Sequence, residues 1–317
     1  MNKINKKDYG SWKEYYFEYQ YQLAKQYYIP YLKRIYSKYP FFYGTLKNKK
    51  IIDVGCGNGG FISAFEDISD NLTGIEIKKF DWPKNSNVEF IIGDLVKLTS
   101  NLPQLPHGLV DSKWPKGVRE NLQIDYDYNL IILRDVVEHI PLDEKMKFFR
   151  SLKKILHPDS KNNLIMVTFP PFYSPFGLHQ QVFCNSILKY VPYLSLLPVK
   201  ILKFALKLFG ENEDTFKKLL EIRNCRMTIR GFIRMVSKLG LQEIDSDRLF
   251  FTVRPSHQLR YGFKTRKSYL THIPYLRELF VTGTVFVLKL SQPYDNSKGK
   301  DEVLHNPEDP DINIYKK

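Results

Sequence analysis

From residue 50 onward, short apolar runs alternate with stretches of helical periodicity. Lys50–Val54 reads as a buried strand, followed by a glycine cluster and a helix through Phe61–Ile68. Leu72–Ile77, Val88–Ile92, Tyr128–Leu133 and Asn163–Phe169 read as the second to fifth strands, and Tyr128–Leu133 is apolar enough to be buried on both faces. Between the last two, Asp143–Leu156 places Met146, Phe149, Leu152, Ile155 and Leu156 at helical spacing. Thr228–Leu239 is a further amphipathic helix stopped by Gly240, Leu241–Asp245 and Leu249–Val253 are extended, and Thr282–Leu290 is a late apolar strand. Strands alternating with helices predict parallel βαβ units, hence an α/β, doubly wound sheet.

The flanks depart from this rhythm. Eleven tyrosines crowd residues 9–43, punctuated by Pro30 and Pro40, and predict one or two helices laid across the domain that follows. Pro170-Pro171 closes the alternating pattern, and residues 174–226 form an insertion of different composition. Within it, Val199–Phe209 puts Lys200, Lys203 and Lys207 on one side of a helix, with Leu202, Phe204, Ala205, Leu208 and Phe209 on the remainder. Such a helix suits a lid packed on the domain or contact with a membrane surface, and both uses stay open. The expected organisation is a helical cap over 1–49, one domain over 50–290 with a lid at about 174–226, and a disordered tail over 291–317.

With 43% hydrophobic residues in 317, the chain can bury a real core, which excludes a wholly disordered or collagen-like protein. Three cysteines with no CxxC pair form neither a disulfide framework nor a zinc site, and a reducing, cytoplasmic compartment is expected. The opening MNKINKKDYG has no apolar leader segment, and the richest apolar run, Ile187–Phe209, is broken by lysines and prolines. A soluble protein, or one peripheral at the inner membrane surface, is expected. The net charge of +14 is uneven: +8 over residues 1–50, −2 over 51–198, +10 over 199–289 and −2 over the tail. Two basic flanks around a neutral middle favour an anionic acceptor or surface, or are simply a solubilising coat.

The strongest chemical signal is Asp53-Val54-Gly55-Cys56-Gly57-Asn58-Gly59-Gly60, a strand running through a glycine turn into a helix. Its glycines let backbone approach a ligand and leave free N–H groups at the helix start. Gly55, Gly57 and Gly60 also satisfy the dinucleotide pattern GxGxxG, but Asp53 at the strand end would repel a pyrophosphate and suits a cationic amino-acid moiety. Glu76 ends the second strand, where an acid binds ribose hydroxyls, and Asp94 follows the third, where an acid can accept from an adenine amine. Three acids at successive strand ends suit a cofactor without phosphate, which points to S-adenosylmethionine.

On these motifs the chain resembles a class I S-adenosylmethionine-dependent methyltransferase of the small-molecule group, over about Lys50–Pro170 and again in the late strands. The resemblance implies a Rossmann-like sheet, mostly parallel, whose last strand is antiparallel. It implies that Asp53, Gly55, Cys56 and Gly57 border the methionine part, Glu76 the ribose, and Asp94 with Leu95 the adenine, with Arg134 added to the cofactor set. Cys56 itself is read as a small residue that fits the turn rather than as a reactive thiol.

The sequence Glu138-His139-Ile140-Pro141 resembles the ubiquinone-biosynthesis O-methyltransferases, some of which bind a divalent metal here. By position Asp135, Glu138, His139 and His179 match that ligand set, with Asp135 standing where the pattern has Glu. A helix start at Asp135 would bring the first three together. A general base drawn from Glu138, His139 and His179 without a metal is a second reading, and carboxylates biasing a helix start with His139 bonded locally is a third. Arg254, Arg260 and Arg266 precede the last strand and could grip an anionic acceptor, or lie on a solvated surface. His107, His157, His257 and His272 have no acid or cysteine cluster around them, and surface or capping roles are expected.

The expected activity is therefore methyl transfer, first to oxygen, on a small-molecule, glycan or lipid-linked anionic acceptor. An RNA methyltransferase and a non-catalytic S-adenosylmethionine-binding module remain as rivals. Nucleic acid is the weaker partner, because no amino-methylating Asn/Asp-Pro-Pro-Tyr motif and no RNA-binding module are visible.

Overall fold

The computed structural model describes residues 4–39, 45–84, 86–100, 127–157, 163–244, 249–270 and 273–290. The tail at 291–317 and the histidines at 107 and 272 lie outside the described residues. Nine strands join one sheet among the described residues: β1 (Ile51–Val54), β2 (Leu72–Glu76), β3 (Val88–Ile92), β4 (Leu130–Arg134), β5 (Leu164–Phe169), β6 (Leu241–Glu243), β7 (Leu249–Val253), β8 (Arg266–Lys267) and β9 (Gly283–Leu290). Their order is β3-β2-β1-β4-β5-β9-β7-β8, with β6 pairing β9 as well. The first five strands run parallel, and β9 enters antiparallel against β5, pairing Met166 with Val287. This is the expected α/β, Rossmann-like sheet with an antiparallel last strand.

The central strands β1, β4, β5 and β9 are buried on both faces because both are covered. Alternate residues serve opposite sides: Ile131 and Leu133 of β4 join Phe149, Leu152, Phe232 and Phe286 in one core, while Leu130 and Ile132 join Phe61, Phe65 and the N-terminal helices in the other. The strand order reverses between β1 and β4, and the crevice at that switch point is where such sheets take their ligands.

At the N-terminus, Trp12–Leu23, a π-helical turn at Ala24–Tyr28 and Ile29–Lys38 follow one another without an intervening loop. Pro30 therefore does not break the chain, contrary to its expected punctuation. The π turn sends the Ile29 N–H to the Ala24 carbonyl, five residues back, and widens the helix where the proline ring would meet the preceding turn. The tyrosines are core rather than surface: Tyr19, Tyr28, Tyr31 and Tyr36 are buried, and the Tyr28 and Phe61 rings meet edge to face at 5.4 Å.

The expected helix through Phe61–Ile68 is shorter, holding α geometry over Gly60–Ser63 before tightening into turns. Residues 172–222 enclose a core of their own, with Leu178, Leu188, Leu202, Leu206, Phe216 and Leu219 packed together. The Val199–Leu208 helix belongs to this lobe, but its apolar residues divide. Leu202 and Leu206 are buried, while Ile201, Phe204 and Leu208 stay exposed.

Candidate active site

The glycine turn sits at the carboxyl end of β1. Gly55 takes φ +80°, and a Cβ there would come within 2.4 Å of Val136 Cγ2, so only glycine serves. Gly57, at φ +56°, faces open space. Its N–H donates to Glu76 Oε2 at 3.0 Å, and Ile77 N–H donates to Oε1 at 2.8 Å. The β2 carboxylate is thereby fixed at the turn, with lone pairs left for a hydroxyl-bearing ligand.

Asp53 is buried at the end of β1. Burial pushes its carboxyl up to about 7, with Arg134 opposing that rise and Glu76 adding to it. A carboxyl in this setting suits a cationic partner. Arg134, ending β4, lies with its guanidinium 5.0 Å from the Phe61 ring centre, and its Nε has no hydrogen-bond partner. Asp94 Oδ1 accepts from Val96 N–H at 2.8 Å and caps the short Leu95–Leu98 helix, and Leu95 is buried behind it.

Cys56 is buried in the turn, its Sγ standing 2.9 Å from where a Cβ on Gly74 would be, and burial pushes its thiol up. These facts favour packing over reactivity.

After β4 the expected helix start does not form. Asp135 adopts left-handed backbone at φ +55°, and the following 3-10 turn spans Val137–His139. Asp135 is consequently left out of the set of ligand atoms that the other three bring together, while its charge still acts on all of them. Its carboxylate accepts from Thr168 Oγ1 at 3.3 Å, lies 3.4 Å from an Arg134 nitrogen and 3.8 Å from Arg254. Burial works to raise that carboxyl, but Arg254, Arg134 and His179 outweigh it and hold it below its ordinary value.

Glu138, His139 and His179 do converge, with one ligand-capable atom each, all within 4.8 Å of one another. The two imidazoles meet edge to face at 5.1 Å. Glu138 is 3% exposed and neither of its carboxylate oxygens has a hydrogen-bond partner, whereas the His139 side chain is 45% exposed. Burial, with Asp135 adding to it, pushes Glu138 well up. Burial together with His139 and Arg254 pushes His179 down to about 4, so its imidazole is neutral, a weak proton acceptor that can still take a hydrogen bond or ligate a cation. His179 also takes left-handed backbone, at φ +56°. Two non-glycine residues held this way cost about 1–3 kcal/mol each, and such strain gathers at working sites.

The arginines separate. Arg254 lines two adjoining clefts, one with His179, His257, Ser174 and Thr282, the other with Tyr28, Asp135, Thr168 and Thr284. Arg260 turns away from both, its guanidinium 4.3 Å from the Tyr19 ring centre, and Arg266 is exposed on the edge strand β8. His257, expected at a surface or cap, stands in the first cleft and accepts from Arg254 Nε at 3.4 Å.

Two supporting residues carry no sequence signal of their role. Trp82 Nε1 donates to the Gly57 carbonyl at 2.8 Å, and its ring stacks on Phe90 at 4.8 Å. Lys145 is buried, with Nζ donating to the carbonyls of Val137 and Ile140 at either end of the turn carrying Glu138 and His139.

A family model described as a methyltransferase domain matches residues 20–190. No curated protein matches the chain. Among solved structures, an S-adenosylmethionine-dependent methyltransferase from Clostridium acetobutylicum aligns at 10% identity with TM-score 0.47, over 86% of this chain and 92% of that one. Another from Archaeoglobus fulgidus aligns at 12% with TM-score 0.42, over 87% and 99%. Magnesium protoporphyrin IX methyltransferase from Synechocystis, solved with S-adenosylhomocysteine, aligns at 12% with TM-score 0.41, over 85% of each chain.

Proposed function

Because the chain belongs to the S-adenosylmethionine-dependent methyltransferases of class I, we propose that it methylates an oxygen of an anionic acceptor seated against Arg254, with Glu138, His139 and His179 handling the displaced proton. Bound at the glycine turn, S-adenosylmethionine supplies a methyl group already activated on a sulfonium, so the protein chiefly aligns the acceptor and takes its proton. In this reading Asp53 accepts from the methionine ammonium, Glu76 from the ribose, and Asp94 through Oδ2 from the adenine edge. Arg134 supplies positive charge beside Asp53 for the methionine carboxylate. The N-terminal tyrosine helices cap the cofactor, and the 172–222 lobe is the lid over the acceptor.

One observation carries the acceptor assignment. Arg254 lines the cleft that also holds His179 and His257, which puts a permanent cation beside neutral imidazoles that can accept a hydrogen bond from an acceptor hydroxyl. Such a pair selects an acceptor with a phosphate or carboxylate near its reacting hydroxyl, whether a small molecule, a glycan or a lipid-linked intermediate.

A divalent cation at the same place is a second reading, favoured by the orphaned carboxylate of Glu138. A buried acid without a partner beside two imidazoles is a donor set that fits such an ion. Glu138, His139 and His179 would hold it, and it would polarise the acceptor hydroxyl. Asp135 is not part of that set.

Incubating the protein with cell extract and methyl-labelled S-adenosylmethionine tests the acceptor class. Label in a lipid or glycan fraction that is retained on anion exchange and that stays bound through base treatment, as a methyl ether does, is expected. Label in RNA overturns the assignment, and cofactor binding without any transfer identifies a non-catalytic module.

A further inference from the structure

The lobe at 172–222 presents a surface that the crevice does not use. Its Val199–Leu208 helix buries Leu202 and Leu206 against the lobe's own core. At 3.6 residues per turn, Phe204 stands almost opposite that face. Phe204 and Leu208 are each 67% exposed and Ile201 is 52% exposed, with no described segment covering them. Lys200 and Lys207 rise along one flank of this apolar row, and Lys203 beside them pairs with Glu213 at 2.8 Å. Residues 160–210 contain five lysines and not one Asp or Glu.

We infer that this face of the Val199–Leu208 helix docks on an anionic lipid bilayer. An apolar row beside a lysine row, on a helix anchored by its opposite side, matches the two-part chemistry of that surface. Phe204, Leu208 and Ile201 enter the boundary of the acyl chains, while Lys200 and Lys207 extend their stems toward the phosphates. The helix itself carries no acid, and Glu213 beside it is paired with Lys203, which leaves Lys200 and Lys207 to meet the anionic headgroups. No described helix is long and apolar enough to cross a membrane, so the contact lies on the surface. The same lobe also supplies His179 and Val182 to the cleft lined by Arg254.

Vesicle co-sedimentation of the full chain tests this directly. Binding is expected to phosphatidylcholine vesicles containing phosphatidylglycerol and not to phosphatidylcholine alone, and added salt should weaken it. Lys200→Glu with Lys207→Glu should lower the partition coefficient by about tenfold or more. Phe204→Glu with Leu208→Glu should lower it by a similar factor at every salt concentration. Both double variants should keep the wild-type affinity for S-adenosylhomocysteine and the wild-type circular dichroism, since none of the four side chains enters a core. Absence of wild-type binding to the anionic vesicles overturns the inference, as does equal binding by wild type and Phe204→Glu/Leu208→Glu. A dimer in sedimentation that this variant dissolves, without vesicle binding, would assign the face to a second copy instead. Vesicle binding is read without any acceptor, so its failure leaves the acceptor assignment standing.

Discussion

The turns after β1 to β3 and the segments after β4 and β5 both deliver carboxylates to the same edge of the sheet, and they hold them in opposite ways. On the first side Glu76 accepts two backbone N–H groups, Asp94 caps a helix, and the strained φ values fall on glycines. On the second side Glu138 has no hydrogen-bond partner, only His139 Nε2 at 3.9 Å, and both Asp135 and His179 take left-handed backbone without being glycine. The first half is largely satisfied, with Arg134 Nε its unpartnered group. The other carries orphaned and strained groups whose cost of a few kcal/mol is tolerated because the rest of the fold holds them. A common cofactor needs only the first kind of site, whereas a reacting acceptor needs groups left free to accept a proton.

The largest effects should separate the two halves. In the acceptor half, His179→Ala or Glu138→Gln should lower the initial rate of methyl transfer by about 10²–10⁴, the range a positioned acid or base supplies. S-adenosylhomocysteine affinity, measured by calorimetry, should change by less than about twofold, because neither side chain reaches the glycine turn. Unchanged turnover at saturating acceptor would remove His179 from the mechanism. Matched losses of turnover and cofactor affinity would erase the division between the halves.

A smaller effect, with a distinct pH signature, belongs to Asp53. Its carboxyl rises from 3.8 to about 7 in the folded protein, mainly through burial. The folded chain then holds this proton more tightly than the unfolded chain does. Stability of the cofactor-free protein should accordingly fall as pH rises from about 4 through about 7. Pairing with the cofactor's ammonium requires the ionised form. S-adenosylhomocysteine should therefore bind about tenfold more weakly one pH unit below that pKa than well above it, releasing a proton on binding. Asp53→Asn should flatten this dependence and weaken binding at neutral pH by about 2 kcal/mol, roughly 30-fold. A pH dependence that survives Asp53→Asn would place the ammonium elsewhere.

The same contrast explains what could be read from the chain. Strands β1 to β5 and the glycine turn were legible because local pattern specifies them: alternate apolar residues set the faces, and the turn at Gly55 admits no side chain. The Arg254–Asp135 contact joins residues 119 positions apart, and His179 meets His139 across an insertion, so no spacing rule could pair them. Asp135 misled because i, i+3 and i, i+4 spacing implies a helix, and one left-handed residue cancels it. Pro30 misled because a π turn can absorb a proline. The periodicity of Val199–Phe209 placed apolar residues away from the lysines without saying which are buried; that is decided by the lobe's core, which takes Leu202 and Leu206 and leaves Phe204 out.

The smallest effect tests how finished the cofactor half is. Trp82 comes from the segment between β2 and β3 and braces the glycine turn from behind, donating to the Gly57 carbonyl while stacked on Phe90. Trp82→Phe keeps an aromatic ring for the stack and deletes one neutral hydrogen bond, a loss of about 0.5–1.5 kcal/mol. If the turn is held in its binding conformation before ligand arrives, that loss should appear as about a three- to tenfold weaker affinity for S-adenosylhomocysteine. Turnover at saturating cofactor and acceptor should be unchanged, because in the proposed arrangement the Gly57 turn holds the cofactor while Glu138, His139 and His179 handle the proton. A fall in turnover with affinity intact would mean that the turn also positions the reacting methyl group, and the two halves of the crevice would then be coupled through Val136, which packs against Gly55 from the acceptor side.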